Sequence, residues 1–333
     1  MRAAVYYGNR DLRVEQCAQP KAGPGELVFR VLASGVCGSD VLEWYRLAKA
    51  PIVLGHEVAG EVVEIGAGLA GFARGDRIVT THHGPCNECR YCLAGAHPVC
   101  ETLRTTHFDP GGFAELVRLP APNVARGTFA VPEHVGYDDA SFVEPLACVV
   151  RGQRVAGGVA GKTVAVLGSG ISGLLHILWA RANGAARILA TDIHPFRIEA
   201  AKRAGAEMAI DARQHELPAR ADLVIVCTSA LVAVGQALRV VDRGGTILVF
   251  ALFQPGATCP MPLHELGKDG ITITHSYAGP PADMRTALDA IAARRVDVAA
   301  LITHRLPLSE IGEAFRLVES AGESLKVIVR PQE

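Results

Sequence analysis

No run of about eighteen apolar residues occurs in this sequence, which excludes an ordinary membrane-spanning helix. Net charge is nearly absent as well: 33 Lys and Arg stand against 34 Asp and Glu, a formal charge of −1 at pH 7. So balanced a chain has no global attraction for nucleic acid or an anionic membrane, and neither is expected as a partner. The opening stretch, Met1-Arg-Ala-Ala-Val-Tyr-Tyr7, lacks the apolar core of a signal peptide, so a cytoplasmic location is expected. Internal repeats and low-complexity linkers are also missing. Cysteine is present in nine copies, an odd number, and four of them crowd between Cys86 and Cys100. That distribution speaks against a disulfide framework and for metal ligation in a reducing compartment.

What is there is enough apolar residue, 49% of 333, to build two ordinary domains of a soluble globular protein. From Arg2 to about Phe142 the text consists of short apolar runs broken by glycine and proline, among them Glu26–Ala33, Glu57–Ile65 and Arg77–Thr80. These predict a β-rich, barrel-like domain. From Lys162 the rhythm changes. Strand patterns at Thr163–Leu167, Arg187–Asp192, Ala221–Thr228 and Thr246–Ala251 alternate with helical ones at Ile171–Asn183, Pro195–Ala204 and Leu231–Val240. Such alternation predicts an α/β fold with a doubly wound parallel sheet covered on both faces. A last strand near Ile271–Tyr277 should close that sheet. Two helical patterns, Ala282–Arg294 and Ser309–Ser320, and an apolar strand, Leu325–Val329, form the tail.

The chain is organised around Thr163-Val-Ala-Val-Leu-Gly168-Ser-Gly170-Ile171-Ser-Gly173, a strand running into a glycine-rich turn and a helix. Its first glycine permits the tight turn, its second lets backbone approach a pyrophosphate, and its third lets helix and strand pack closely. The pyrophosphate would then meet the helix N-terminus near Ile171. Asp192 ends the next strand nineteen residues after Gly173, where a ribose-binding acid belongs. Arg197 is placed to stack on adenine or to offset the Asp192 charge. Thr228, at the end of a later strand, completes the expected cofactor contacts, and NAD is expected over NADP.

Two clusters carry metal-like spacing. Cys86-x-x-Cys89-x-x-Cys92, followed by Cys100, lets one loop wrap a tetrahedral ion, and four thiolates suit a closed, structural zinc site. Cys37 with Ser39 and Asp40, then His56-Glu57, then Glu144 further on, offers a thiolate, an imidazole and two carboxylates. By spacing alone the second cluster reads equally as a core cysteine with a satisfied histidine.

Taken together, Gly35-Val-Cys-Gly-Ser-Asp40, Gly55-His-Glu-x-x-Gly60, Gly75-Asp-Arg77, the Cys86 lobe, Glu144-Pro-Leu146 and the Gly168 turn resemble one family over nearly the whole chain. It is the zinc-containing medium-chain dehydrogenase family, of the alcohol, polyol and threonine dehydrogenase type. The resemblance implies a GroES-like catalytic domain over 1–148, a Rossmann domain over 149–278, and a C-terminal segment over 279–333 that returns to the first, with the active site in a cleft between the domains. It further implies two zinc ions per chain: a catalytic one on Cys37, His56, Glu57 and Glu144, and a structural one on Cys86, Cys89, Cys92 and Cys100. Because a catalytic zinc keeps an open position, one of the two carboxylates must exchange. Asp40 would orient His56, Ser39 would take the alcohol proton, and hydride would pass between a secondary alcohol and NAD. A polyol, sugar or cyclitol is the expected substrate, with a simple alcohol or hydroxy amino acid as the alternative, and a homodimer or homotetramer as the expected assembly.

The chain departs from its relatives at Leu42, where many carry a histidine that relays the proton from the Ser39 position to solvent. The segment from Glu43 to Ala50 is also short, which leaves Trp44, Tyr45 and Arg46 as candidates for a wall of the substrate site or for simple packing. His82, His83 and His107 read as surface or hydrogen-bonding histidines. Two rivals remain: a zinc-free reductase of activated alkenes, disfavoured by the two intact metal clusters, and a non-catalytic NAD-binding sensor.

Overall fold

The computed structural model describes every residue from Met1 to Glu333. The chain divides into two compact units, one formed by Met1–Ala147 together with Ala278–Glu333 and the other by Cys148–Tyr277.

The first unit is built on a seven-stranded sheet. Its path runs Ile302–Pro307, Lys326–Arg330, Leu27–Gly35, Glu57–Ile65, Arg77–Thr80, Thr128–Ala130, with Leu116–Leu119 also paired to Leu27–Gly35. A smaller three-stranded sheet joins Asp11–Gln16, Arg2–Gly8 and Ile52–Val53. Phe29, Val31, Val58, Val62, Ile78 and Val117 pack as one buried apolar cluster against these strands. Register then fixes the chemistry. Gly35 lies opposite Glu57 on one side and opposite Ile328 on the other, so the His56-Glu57 text and the C-terminal strand meet at the end of one central strand. Glycine at position 35 leaves room for this meeting, since an added Cβ would stand 2.2 Å from Glu57 Oε2 and displace that carboxylate.

The second unit is a six-stranded sheet in which every neighbouring pair is parallel. In chain order its strands are Thr163–Leu167, Arg187–Asp192, Met208–Asp211, Ala221–Val226, Val241–Val249 and Thr272–His275, and in space they run third, second, first, fourth, fifth, sixth. The order reverses between Thr163–Leu167 and Ala221–Val226, the place where open α/β sheets leave a crevice at their carboxyl ends. Central strands read as continuous apolar runs because both faces are covered: Val164 to Leu167 and Leu223 to Val226 are all buried. The short strand Met208–Asp211 carries no strong pattern and was not anticipated, and the fifth strand begins at Val241, earlier than the expected Thr246. No helix of the chain is long and apolar enough to cross a membrane.

Candidate active site and metal centres

The glycine turn behaves as its chemistry demands. Gly168 has φ +94°, and a Cβ there would press within 3.1 Å of Thr228. At Gly173 a Cβ would meet the Gly168 carbonyl at 2.0 Å, so the third glycine permits the helix Ile171–Ala182 to sit on the turn. Gly170 is different: nothing lies closer to its Cβ position than Arg197 Nη1 at 3.6 Å, which leaves the backbone open to a ligand. A cavity of about 330 Å³ opens here, lined by Gly168, Gly170, Asp192, Arg197 and Thr228 among others, but not by Ile171 or Gly173. The Asp192 carboxylate caps the turn by accepting N–H groups from Ser169 at 2.7 Å and from Ile193 and His194 at 2.7 and 2.9 Å. Burial pulls the Arg197 guanidinium below its ordinary pKa, while the Asp192 charge opposes that pull.

In the first unit the four sulfurs of Cys86, Cys89, Cys92 and Cys100 come within 4.8 Å of one another, and none is in a disulfide. Backbone N–H groups point at them, from Cys89 to the Cys86 sulfur at 3.3 Å and from Cys86 to the Cys100 sulfur at 3.4 Å. Donors aimed at sulfur stabilise thiolates, the form that binds zinc, and four sulfurs at this spacing fit a closed tetrahedral ion.

A second group gathers Cys37, His56 and Glu57, whose ligand atoms also lie within 4.8 Å of one another. The Nδ1 of His56 faces Asp40 Oδ1 at 3.4 Å, so the other ring nitrogen is left for a metal. Burial alone would lower the His56 pKa, but Asp40 and the Cys37 sulfur raise it well above the usual range. Asp40, wholly buried, resists the upward push of burial because His56 and Arg46 hold its charge, and its pKa ends below the ordinary value. Ser39 sits beside the group, its hydroxyl 3.4 Å from the Cys37 sulfur. A thiolate, an oriented imidazole and a carboxylate fit zinc, with a position left for an oxygen ligand.

Glu144, on the helix Val143–Val155, groups with His82 and His83 in a further set of ligand atoms within 4.8 Å of one another. The two sets adjoin, because the His56 and His82 rings lie 4.7 Å apart, and the His82 and His83 rings lie 3.6 Å apart at a tilt of 39°. Burial first, then the charges of neighbouring His56 and Arg46, keep both imidazoles neutral: His83 falls to about 3 and His82 well below its ordinary value.

Lys326 was not singled out from sequence. Its side chain is fully buried and its Nζ contacts the Glu57 carboxylate, with the Val36 carbonyl at 3.4 Å. A lone cation inside the apolar strand text Leu325-Lys-Val-Ile-Val was the available signal, since such a charge is buried only when paired. Arg46, expected either to line a wall of the substrate site or simply to pack, holds Ser39 and Asp40.

Comparison with known proteins adds two family models, the alcohol dehydrogenase GroES-like domain over residues 23–132 and the zinc-binding dehydrogenase domain over residues 172–293. The chain is 31% identical to an L-threonine 3-dehydrogenase of Pyrococcus horikoshii, covering 93% of this chain and 92% of that one. It is 29% identical to a sorbitol dehydrogenase of Ovis aries, covering 98% and 95%. Among solved structures it matches a candidate zinc-binding dehydrogenase of Sinorhizobium meliloti bound to NADP, with a TM-score of 0.88, 27% identity and 99% of both chains covered.

Proposed function

This chain belongs to the zinc-containing medium-chain dehydrogenase family, and from that premise we propose that it transfers hydride between a secondary alcohol of polyol, sugar or cyclitol type and NAD. The observation that carries the proposal is the convergence of Cys37, His56 and Glu57, with Asp40 behind the imidazole and the Ser39 hydroxyl alongside. When bound, zinc supplies Lewis acidity that lowers the proton affinity of an alcohol oxygen, and nicotinamide supplies the hydride acceptor. Cys37 and His56 would hold the ion, with Glu57 and Glu144 as the carboxylates that would exchange on it. Asp40 keeps the His56 ring in one orientation. Ser39 would take the proton of the substrate hydroxyl as its own hydroxyl proton passes on to water, while the carbon bearing that hydroxyl loses hydride, which balances alcohol and NAD⁺ against ketone, NADH and a released proton. The four cysteines from Cys86 to Cys100 would hold a second zinc that shapes their own loop.

Asp192 favours NAD. Its Oδ1 accepts the Ile193 and His194 N–H groups, while Oδ2, which accepts only from Ser169, retains a lone pair for a ribose hydroxyl, and the carboxylate charge repels a 2′-phosphate. The open outer edge of strand Thr272–His275, with Met261 and Leu263 exposed nearby in sequence, supports a homodimer or homotetramer.

Metal analysis combined with NAD⁺ reduction across polyols, inositols, simple alcohols and hydroxy amino acids tests the reading. Two zinc per chain with turnover on a polyol or cyclitol is the expected result. Turnover confined to L-threonine would instead favour the hydroxy amino acid class, to which the Pyrococcus relative points. NAD binding without turnover on any alcohol would leave a sensor.

A further inference from the structure

The helical turn Glu43–Arg46 starts at Leu42, and the Arg46 N–H bonds back to the Leu42 carbonyl at 3.1 Å. Residues four apart share one face of a helix, and side chains there lean toward its N-terminus. Arg46 therefore reaches back past Leu42 toward Ser39. Its Nε–H donates to the Ser39 carbonyl at 3.0 Å, and its Nη2 donates to Ser39 Oγ at 3.0 Å and to Asp40 Oδ1 at 3.3 Å. The Tyr45 ring backs the guanidinium at 4.7 Å, and the Arg46 side chain is only 14% exposed. This is a planar fork locked on three acceptors, a geometry that lysine cannot reproduce.

Resting on the dehydrogenase reading, we propose that Arg46 is the positioning residue for proton removal in this enzyme, standing where Leu42 leaves the site without a relay histidine. A guanidinium keeps its proton throughout the accessible pH range, so Arg46 cannot carry the substrate proton onward. It acts on Ser39 instead. By donating to Oγ it occupies one acceptor position of the hydroxyl, fixes the rotamer, and leaves the remaining lone pair for the incoming alcohol O–H. Its fixed positive charge also favours the electron-rich oxygen that forms as that proton leaves the alcohol. Through Asp40 the same group is tied to the orientation of His56. One cation thus links the proton-accepting side of the site to the metal-binding side.

The test compares wild type, Arg46→Ala, Arg46→Lys and Arg46→Gln on the best secondary alcohol found by the panel, with zinc content, NAD affinity and thermal midpoint measured for each. Misplacement of a reacting group costs about 10²-fold, so Arg46→Ala should lose about that factor in kcat while retaining two zinc and wild-type NAD binding. Guanidinium chloride at sub-denaturing concentration should restore about tenfold of the loss, whereas sodium chloride at equal ionic strength should restore none. Arg46→Lys and Arg46→Gln should stay near the alanine variant, because neither reaches all three acceptors. Alanine-variant kcat within twofold of wild type overturns the assignment. Loss of activity that follows loss of zinc or folding in all three variants overturns it equally, because Arg46 would then be a structural residue. A wild type with no turnover on any alcohol removes the dehydrogenase reading itself and this assignment with it.

Discussion

Lys326 and Glu57, 269 positions apart in the chain, meet as a buried ion pair, with side chains 0% and 1% exposed. The contact joins the C-terminal strand to the strand that begins with the His56-Glu57 text, and Gly35 between them provides the room. Removing one partner of such a pair leaves a buried charge uncompensated, which costs about 3–5 kcal/mol. Lys326→Met should therefore lower the urea midpoint severely, and adding Glu57→Gln should recover much of the loss. Equal destabilisation by the single and the double variant would mean that Lys326 acts by packing alone.

The two metal groups should respond differently to loss of a sulfur. Cys37→Ser is expected to remove one zinc and abolish turnover while NAD affinity stays near normal, because the Gly168 turn and Asp192 lie in the other unit. Cys89→Ser should instead lower thermal stability and zinc content together, since ligation at a closed site is coupled to folding. Atomic absorption alongside calorimetry separates the two. A Cys37→Ser enzyme that keeps both ions and full rate would remove Cys37 from the ligand set.

Cofactor choice should turn on Asp192. The wild type is expected to prefer NAD modestly, because Arg197 stands by the same cavity and offsets part of the carboxylate's repulsion of a 2′-phosphate. Asp192→Ala should erode that preference and weaken the turn, which loses the carboxylate that accepts the Ser169, Ile193 and His194 N–H groups. The ratio of kcat/KM for the two cofactors is the measurement. Equal ratios in wild type and variant would reject the role.

Acid should destabilise the second unit through His176. This imidazole is fully buried, with its Nδ1 at 3.2 Å from Gln153 Nε2, and burial drives its pKa down to about 3 from 6.5. The unfolded chain binds a proton below about 6.5 while the folded one does not, so stability falls with pH between about 6.5 and about 3. By pH 5 the loss from this one group is about 2 kcal/mol. His176→Gln should flatten the slope of unfolding free energy against pH over that window, and an unchanged slope would assign the acid sensitivity to other groups.

Elements whose meaning lies in local text were readable in advance. The parallel strands announce themselves as apolar runs punctuated by glycine, and the four cysteines from Cys86 to Cys100 have a short, specific spacing that puts them on one loop, whereas Cys37 and His56, from the ends of two different strands, were readable as a pair only through the family resemblance. Arg46 was visible only as a charged residue in a short loop, because its reach to Ser39 depends on the helical turn Glu43–Arg46 actually forming there. The likeness of Glu144 to a ligand could be read, but its grouping with His82 and His83 is a tertiary fact that no spacing between positions 82 and 144 encodes. Met208–Asp211 escaped notice for a related reason: four residues ending in an acid look like loop until the neighbouring strand offers them a ladder.

The strand Lys326–Arg330 has a consequence in time. It pairs with Ser34 and Gly35 and delivers the cation that neutralises Glu57, yet it is translated only after Cys148–Tyr277. Until then the whole of Cys148–Tyr277 has been synthesised while Glu57 waits with its charge unmatched. A nascent chain of this protein therefore finishes its first unit after its second, and the Cys37, His56 and Glu57 group takes its native surroundings only once Lys326 has been made.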